Sequence, residues 1–150
     1  MLEVNELYQE VILDHNKTPR NFGQLSQADG KATGHNPLCG DKVTVYLRFD
    51  QDTISDIKFE GSGCAISTAS ASLMTEILKG KSRAEVKALF RQFHNLVTGK
   101  LGAARGGPKL GKLVVFHGVS DYPIRVKCAT LAWHALQAAL ESKQKMISTE

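Results

Sequence analysis

Residues 41–67 read DKVTVYLRFDQDTISDIKFEGSGCAIS, and this stretch decides the fold. Apolar side chains alternate with polar or exposed-type ones at 43–49, which predicts a half-buried β-strand. A turn-like segment at 50–52 follows, and the pattern predicts a second strand at about 53–60. Ile54 is out of phase with the later apolar residues of that strand, so we expect a bulge or a three-residue loop beside it. The stretch therefore predicts an antiparallel hairpin.

Helical patterns follow the hairpin. They predict an Ala- and Ser-rich helix at 65–78, a helix with an N-terminal capping box at 82–93, and a long helix at 123–142 that opens on a proline. The Gly-rich basic segment at about 94–120 has no clean period. We interpret it as a loop or insertion with one short helix near 109–116.

Two elements precede the hairpin. Residues 5–15 place apolar side chains on one helical face and acids in or near the first turns, which predicts an amphipathic helix. Residues 31–36 indicate a short third strand. Strands first and helices afterwards favour an α+β fold, a small three-stranded antiparallel sheet with helices packed on one face. At 150 residues the chain fits a single domain over 1–150.

The charge of the chain is uneven. The net charge is +4, yet residues 86–120 hold no Asp or Glu and six basic side chains. These are Lys87, Arg91, Lys100, Arg105, Lys109 and Lys112. We interpret this acid-free segment as a surface that is either solvated or faces a protein partner with a complementary acidic patch.

Composition excludes several classes. No apolar run approaches 18 residues and the first residues lack the pattern of a signal peptide, so we expect a cytoplasmic protein with no membrane partner. Three widely spaced cysteines do not form a disulfide framework and are expected to stay reduced. Metal binding and thiol chemistry are the functions that remain of interest.

The hairpin brings two cysteines and an acid together. In one register Cys39 lies opposite Cys64, and in the register shifted by a bulge Cys64 faces Gly40, between Cys39 and Asp41. Either register leaves the side chains roughly 5 to 8 Å apart. The pattern therefore indicates a site with two thiols and one carboxylate.

A third thiol extends this set. Cys64 and Cys128 each fall near the N-terminus of a predicted helix, where the helix dipole favours a thiolate. Adding Cys128 to Cys39, Asp41 and Cys64 gives a Cys₃Asp set, which suits Zn²⁺ or an iron-sulfur cluster. Because there is no CxxC pair and lone cysteines are often buried as small apolar residues, spacing alone leaves both interpretations open.

Several segments together resemble one family. They are 7–15 (LYQEVILDH), 19–21 (PRN), 36–41 (NPLCGD), 61–67 (GSGCAIS), 69–72 (ASAS) and 125–133 (RVKCATLAW). They resemble the NifU N-terminal/IscU family of iron-sulfur cluster assembly proteins, and most of all its SufU branch. The resemblance implies the same three-stranded sheet with helices against it. It also implies that Cys39, Asp41, Cys64 and Cys128 are metal ligands, since Lys127 stands where housekeeping IscU proteins have a ligating histidine and an ammonium cannot ligate.

The resemblance also implies a function. SufU-like proteins are zinc-containing proteins that accept persulfide sulfur from a SufS-type cysteine desulfurase. They relay this sulfur to an assembly scaffold or to recipient apo-proteins. On this interpretation Cys39 is the sulfur acceptor and Asp41 the exchangeable ligand. The alternative is a scaffold on which Cys39, Cys64 and Cys128 hold iron or an iron-sulfur cluster for transfer to apo-proteins.

A third interpretation treats the zinc as structural and the basic segment as a nucleic-acid footprint. The six basic residues lack interleaved aromatic side chains and a docking helix. We therefore expect no nucleic-acid partner.

Overall fold

A computed structural model describes residues 4–37, 40–100, 110–141 and 144–148. The helices and strands are α1 Val4–Lys17, β1 Gly30–Asn36, β2 Asp41–Asp50, β3 Thr53–Ser62, α2 Ala65–Leu78, α3 Arg83–Val97, a 3₁₀ helix Gly111–Asp121, α4 Pro123–Glu141 and β4 Gln144–Ser148. No helix of these described ranges is both long and apolar enough to cross a membrane.

The sheet has the strand order β3-β2-β1-β4. The pairs β1–β2 and β2–β3 are antiparallel, which confirms the predicted three-stranded sheet and the α+β fold. Strand β4 extends the sheet by pairing parallel to β1. The sequence did not predict β4, because a five-residue, mostly polar segment at a sheet edge carries no clear alternation.

The hairpin contains the expected irregularity. Phe49 pairs with Ile54, whereas Arg48 pairs with Asp56, so that Ser55 is the extra residue of a bulge. Beyond the bulge the shifted register continues to the end of the hairpin, where Lys42 faces Ser62. The structure therefore adopts the bulged register of the two that the sequence allowed.

Helices cover one side of the sheet. Strand β1 alternates buried and half-buried residues, and α4 packs across β1 and β2. Gly34 permits this close packing, since a Cβ atom there would lie 2.9 Å from Cδ1 of Leu131. On the outer side of α4, Trp133 stacks on Phe93 with ring centroids 4.7 Å apart, and Phe93 meets Phe116 edge-on at 5.9 Å. These rings join α3, the 3₁₀ helix and α4.

The Gly-rich segment is more regular than its sequence suggested. Residues 94–97 complete α3, and Gly111–Asp121 form the 3₁₀ helix. The short helix expected near 109–116 is therefore present, whereas the prediction of a loop was wrong for residues 94–97 and 117–120. Val115, Phe116 and Val119 are buried, and this apolar packing stabilises a helical path that the glycines obscured in the sequence. Residues 101–109 lie outside the described ranges.

Candidate metal centre

Asp41 and Cys64 are joined where the hairpin ends and α2 begins. Asp41 opens β2 and is fully buried, while Cys64 is the N-cap residue of α2. Asp41 Oδ1 accepts a hydrogen bond from the backbone N–H of Cys64 at 2.8 Å, and Oδ2 lies 3.6 Å from Cys64 Sγ. The Cys64 sulfur itself accepts from the backbone N–H of Ser67 at 3.4 Å. The carboxylate is therefore held against the thiol by the start of a helix.

Gly63 makes room for this carboxylate. A Cβ atom at this position would lie 2.9 Å from Cγ and 3.0 Å from Cβ of Asp41. These distances are too short for carbon atoms, so no larger residue fits beside the buried acid without a shift of one of the two segments. The requirement for glycine explains one residue of the GSGC segment by packing alone.

Cys128 reaches the same place from α4. It is buried, and the side-chain amide Nδ2 of Asn36 donates to its Sγ at 3.7 Å. Asn36 closes β1 and pairs across the sheet with Asp41. The adjoining ends of β1 and β2 therefore present an amide to one member of the site and a carboxylate to another.

Three donor atoms converge. One ligand atom each from Asp41, Cys64 and Cys128 lies within 4.8 Å of the other two. Two thiols and a carboxylate are a donor set that suits Zn²⁺ or an iron-sulfur cluster, because both bind thiolate and zinc also accepts carboxylate oxygen. The structure thus brings together three of the four residues predicted to be ligands. Cys39 lies outside the described residues, and the ligand role of all four stays a prediction.

The environment of Cys64 favours a thiolate. Its surroundings together lower the pKa of the Cys64 thiol to about 7, and the largest cause is the hydrogen bond from Cys128. Burial and the Asp41 carboxylate act to raise this pKa, whereas backbone N–H groups at the start of α2 act to lower it. Near neutral pH a good fraction of Cys64 is therefore ready to bind metal.

Residues in other segments that resemble the family form hydrogen bonds to α2, the helix that begins at Cys64. His15 is buried on α1, and its Nδ1 lies 2.7 Å from Ser72 Oγ on α2. The backbone N–H of Arg20 donates to the same hydroxyl, and the amide of Asn21 donates to Thr75 Oγ1. A hydroxyl can accept two hydrogen bonds and donate one, so Ser72 Oγ can accept from the Arg20 N–H and bond His15 Nδ1 at the same time.

This network fastens α1 and the PRN segment to the helix that carries Cys64. Burial, followed by the Arg20 charge, lowers the pKa of His15 and keeps the ring neutral. Sequence reasoning missed the network, since the 57 residues between His15 and Ser72 leave no local pattern. The only available signal was that both residues fall in segments of the resemblance.

Comparison with known proteins agrees with this geometry. Residues 7–129 match the family described as NifU-like N terminal domain. The chain belongs to this family. The match spans β1, β2, β3 and the Cys128 turn of α4, so it includes every residue of the candidate site.

Two curated relatives are similar to this chain over most of their length. The iron-sulfur cluster assembly scaffold protein IscU of Streptococcus pyogenes serotype M1 is 42% identical over 139 residues, which cover 93% of this chain and 86% of the relative. The zinc-dependent sulfurtransferase SufU of Bacillus subtilis strain 168 is 39% identical over 141 residues, which cover 94% of each chain.

A solved structure shows the same fold. It is described as an iron-sulfur cluster assembly scaffold protein for the SUF system, SufU of Fervidobacterium islandicum AW-1. It superposes with a TM-score of 0.81 at 40% identity, covering 91% of this chain and 98% of that one. The predicted resemblance to the IscU and SufU proteins is thereby confirmed.

Proposed function

We propose that this chain is an iron-sulfur cluster biogenesis protein that accepts persulfide sulfur from a SufS-type cysteine desulfurase and relays it to cluster assembly. The observation that carries the proposal is the convergence of Asp41, Cys64 and Cys128 within 4.8 Å. The name of the B. subtilis relative, a zinc-dependent sulfurtransferase, supports the same activity.

Cys39, Asp41, Cys64 and Cys128 would hold the zinc ion. When bound, zinc keeps the thiols deprotonated without redox chemistry of its own. Asp41 differs from the other donors, since a carboxylate binds zinc more weakly than a thiolate does and exchanges more readily. The shell is thus suited to losing and regaining a ligand, and a purely structural zinc site would more simply use a fourth thiolate or a histidine.

Cys39 is the proposed sulfur acceptor. Its thiolate attacks the terminal sulfur of the desulfurase persulfide, forming a new S–S bond while the original S–S bond breaks and the electron pair leaves on the desulfurase cysteine as a thiolate. Oxidation states balance, because the sulfane sulfur moves between two equivalent thiols. The neighbouring Gly40 has φ +74, a conformation that favours glycine, so the backbone beside Cys39 can turn tightly.

Mapping of transferred sulfur tests this proposal. The zinc-loaded protein is incubated with desulfurase, pyridoxal phosphate and cysteine, and added sulfur is located by mass spectrometry. We expect sulfur on Cys39 and none on Cys39→Ala. Cys39→Asp is the matched control, because a carboxylate can keep the zinc bound but cannot form a persulfide. Equal sulfur acceptance by Cys39→Ala would remove the assignment.

A scaffold function is the second candidate. It is favoured by the S. pyogenes relative, which is named an assembly scaffold. A scaffold would build a cluster from Fe²⁺ and sulfide on Cys39, Cys64 and Cys128 and pass it intact to an apo-protein. Charge-transfer absorption after reconstitution, followed by transfer to an apo-ferredoxin, would support it. Zinc that iron cannot displace would argue against it.

A further inference from the structure

A groove separates α3 from α4 at the end remote from the cysteine site. Its volume is about 320 Å³, and apolar side chains including Phe90, Leu136 and Leu140 line it. Phe90 and Leu140 are only partly buried against the core. Apolar surface of this kind, open to solvent and bordered by charge, is typical of an interaction site.

Basic side chains run along one side of the groove. Lys87, Arg91 and His94 line it, all of them from α3. Their i, i+4, i+7 spacing places them on one helical face over about 10 Å, at 1.5 Å of rise per residue. We call these three residues the basic row. Among the residues that the structure describes, the ion pairs include neither Lys87 nor Arg91.

Acidic side chains do not neutralise the row from its own helix. Residues 86–120 contain no Asp or Glu, and Glu85, at the start of α3, is engaged with Ser82 in the capping box. On α4 the acid nearest in sequence to the groove is Glu141, which is exposed at the end of the helix. The groove therefore presents an apolar floor beside unneutralised positive charge.

We propose that this groove binds an acidic amphipathic helix of a partner protein, with apolar side chains in the groove and carboxylates along the basic row. The spread of the charges favours a helix over a small anion. A single carboxylate or phosphate is bound best by donors that converge on one point, whereas Lys87, Arg91 and His94 are strung along a line that matches acids repeated once per helical turn.

The position of the groove leaves the cysteine site accessible. Leu136 follows Cys128 by eight residues on the same helix, which corresponds to about 12 Å along the axis. A partner helix that extends from the groove away from Cys128 would leave Asp41 and Cys64 uncovered. The inference goes beyond the proposed sulfur transfer and would hold for a scaffold as well.

Peptide binding to the full zinc-loaded chain tests the proposal. The probe is a fluorescein-labelled synthetic peptide of about 15 residues, long enough to form a helix, with a Leu and Phe stripe flanked by Glu at i, i+4 and i+7. Fluorescence anisotropy should show binding that weakens as salt is raised. The double variant Lys87→Glu/Arg91→Glu should bind at least about tenfold more weakly. It should instead prefer a peptide whose Glu residues are replaced by Lys.

Lys17→Glu, an exposed charge reversal on α1, is the matched control and should bind like the unmodified chain. Equal binding of the acidic peptide by the double variant would overturn the proposal, as would the absence of measurable binding. A third result would also overturn it: if the protein binds dodecanoate but neither peptide, the groove is a site for a small amphiphile. Sulfur acceptance by the double variant is measured in a separate assay. Because neither substitution touches the cysteine site, a failure of the groove proposal can be told apart from a failure of the proposed sulfur transfer.

Discussion

Gly63→Ala should weaken zinc binding although residue 63 is not a ligand. The added Cβ would lie 2.9 Å from Cγ of Asp41, a fully buried side chain. Either the carboxylate or the segment that carries Cys64 must shift. Both movements break the 2.8 Å hydrogen bond between the Cys64 N–H and Asp41 Oδ1.

The size of the effect follows from that hydrogen bond. A hydrogen bond to a charged group contributes about 1.5–3 kcal/mol, and 1.4 kcal/mol corresponds to a factor of ten in an equilibrium constant. If the zinc-bound state needs the carboxylate where it now lies, Gly63→Ala should bind zinc about ten- to a hundredfold more weakly.

Competition with a chromophoric chelator measures this change. Two glycines provide matched controls, since a Cβ on Gly118 or Gly80 would meet no atom within 4 Å. Gly80 also has φ +88, so Gly80→Ala reports the cost of backbone strain without a clash at the site. The reasoning is refuted if Gly63→Ala retains zinc as tightly as Gly118→Ala.

Three further predictions concern the surroundings of the site. Asn36→Ala removes the amide that contacts Cys128 and should reduce zinc affinity by about tenfold or more in the same chelator assay; unchanged affinity would exclude a role for the amide. Burial lowers the pKa of His15, so the unfolded chain takes up more protons below its ordinary pKa of 6.5, and the free energy of unfolding should fall as pH drops through that value. His15→Gln should flatten this slope in urea titrations, and an identical slope would contradict the assignment. Gly34→Ala places a methyl group 2.9 Å from Cδ1 of the buried Leu131 and 3.3 Å from its backbone oxygen, and the forced shift should destabilise the fold by about 1–3 kcal/mol, seen as a lower melting temperature; an unchanged or higher one would show that Leu131 moves aside at no cost.

Local patterns predicted much of the fold. The β2–β3 hairpin, its bulge and the Ser82–Glu85 capping box each depend on residues close together in the chain, and all three are present. The hairpin register also explains how Asp41 and Cys64 meet, because it fixes where the two strands end. Part of the site could therefore be predicted from residue spacing alone.

Long-range contacts were not predictable in this way. Asn36 and Cys128 are separated by 92 residues, and neither local sequence predicts their contact. The parallel pairing of β4 with β1 likewise depends on where α4 delivers the chain. The packing of α4 across the sheet brings Cys128 to the site, and residue spacing does not reveal that packing. Cys128 was therefore predicted as a ligand only from the number of donors that a metal needs and from the family resemblance.

Zinc K-edge X-ray absorption of the zinc-loaded protein tests the central claim most directly. The Cys₃Asp set predicts three sulfur neighbours at about 2.3 Å and one oxygen at about 2.0–2.2 Å. Asp41→Cys should convert the spectrum to four sulfur neighbours. A shell of nitrogen and oxygen atoms, or a spectrum that Asp41→Cys leaves unchanged, would contradict the assignment of Cys39, Asp41, Cys64 and Cys128 as the ligands.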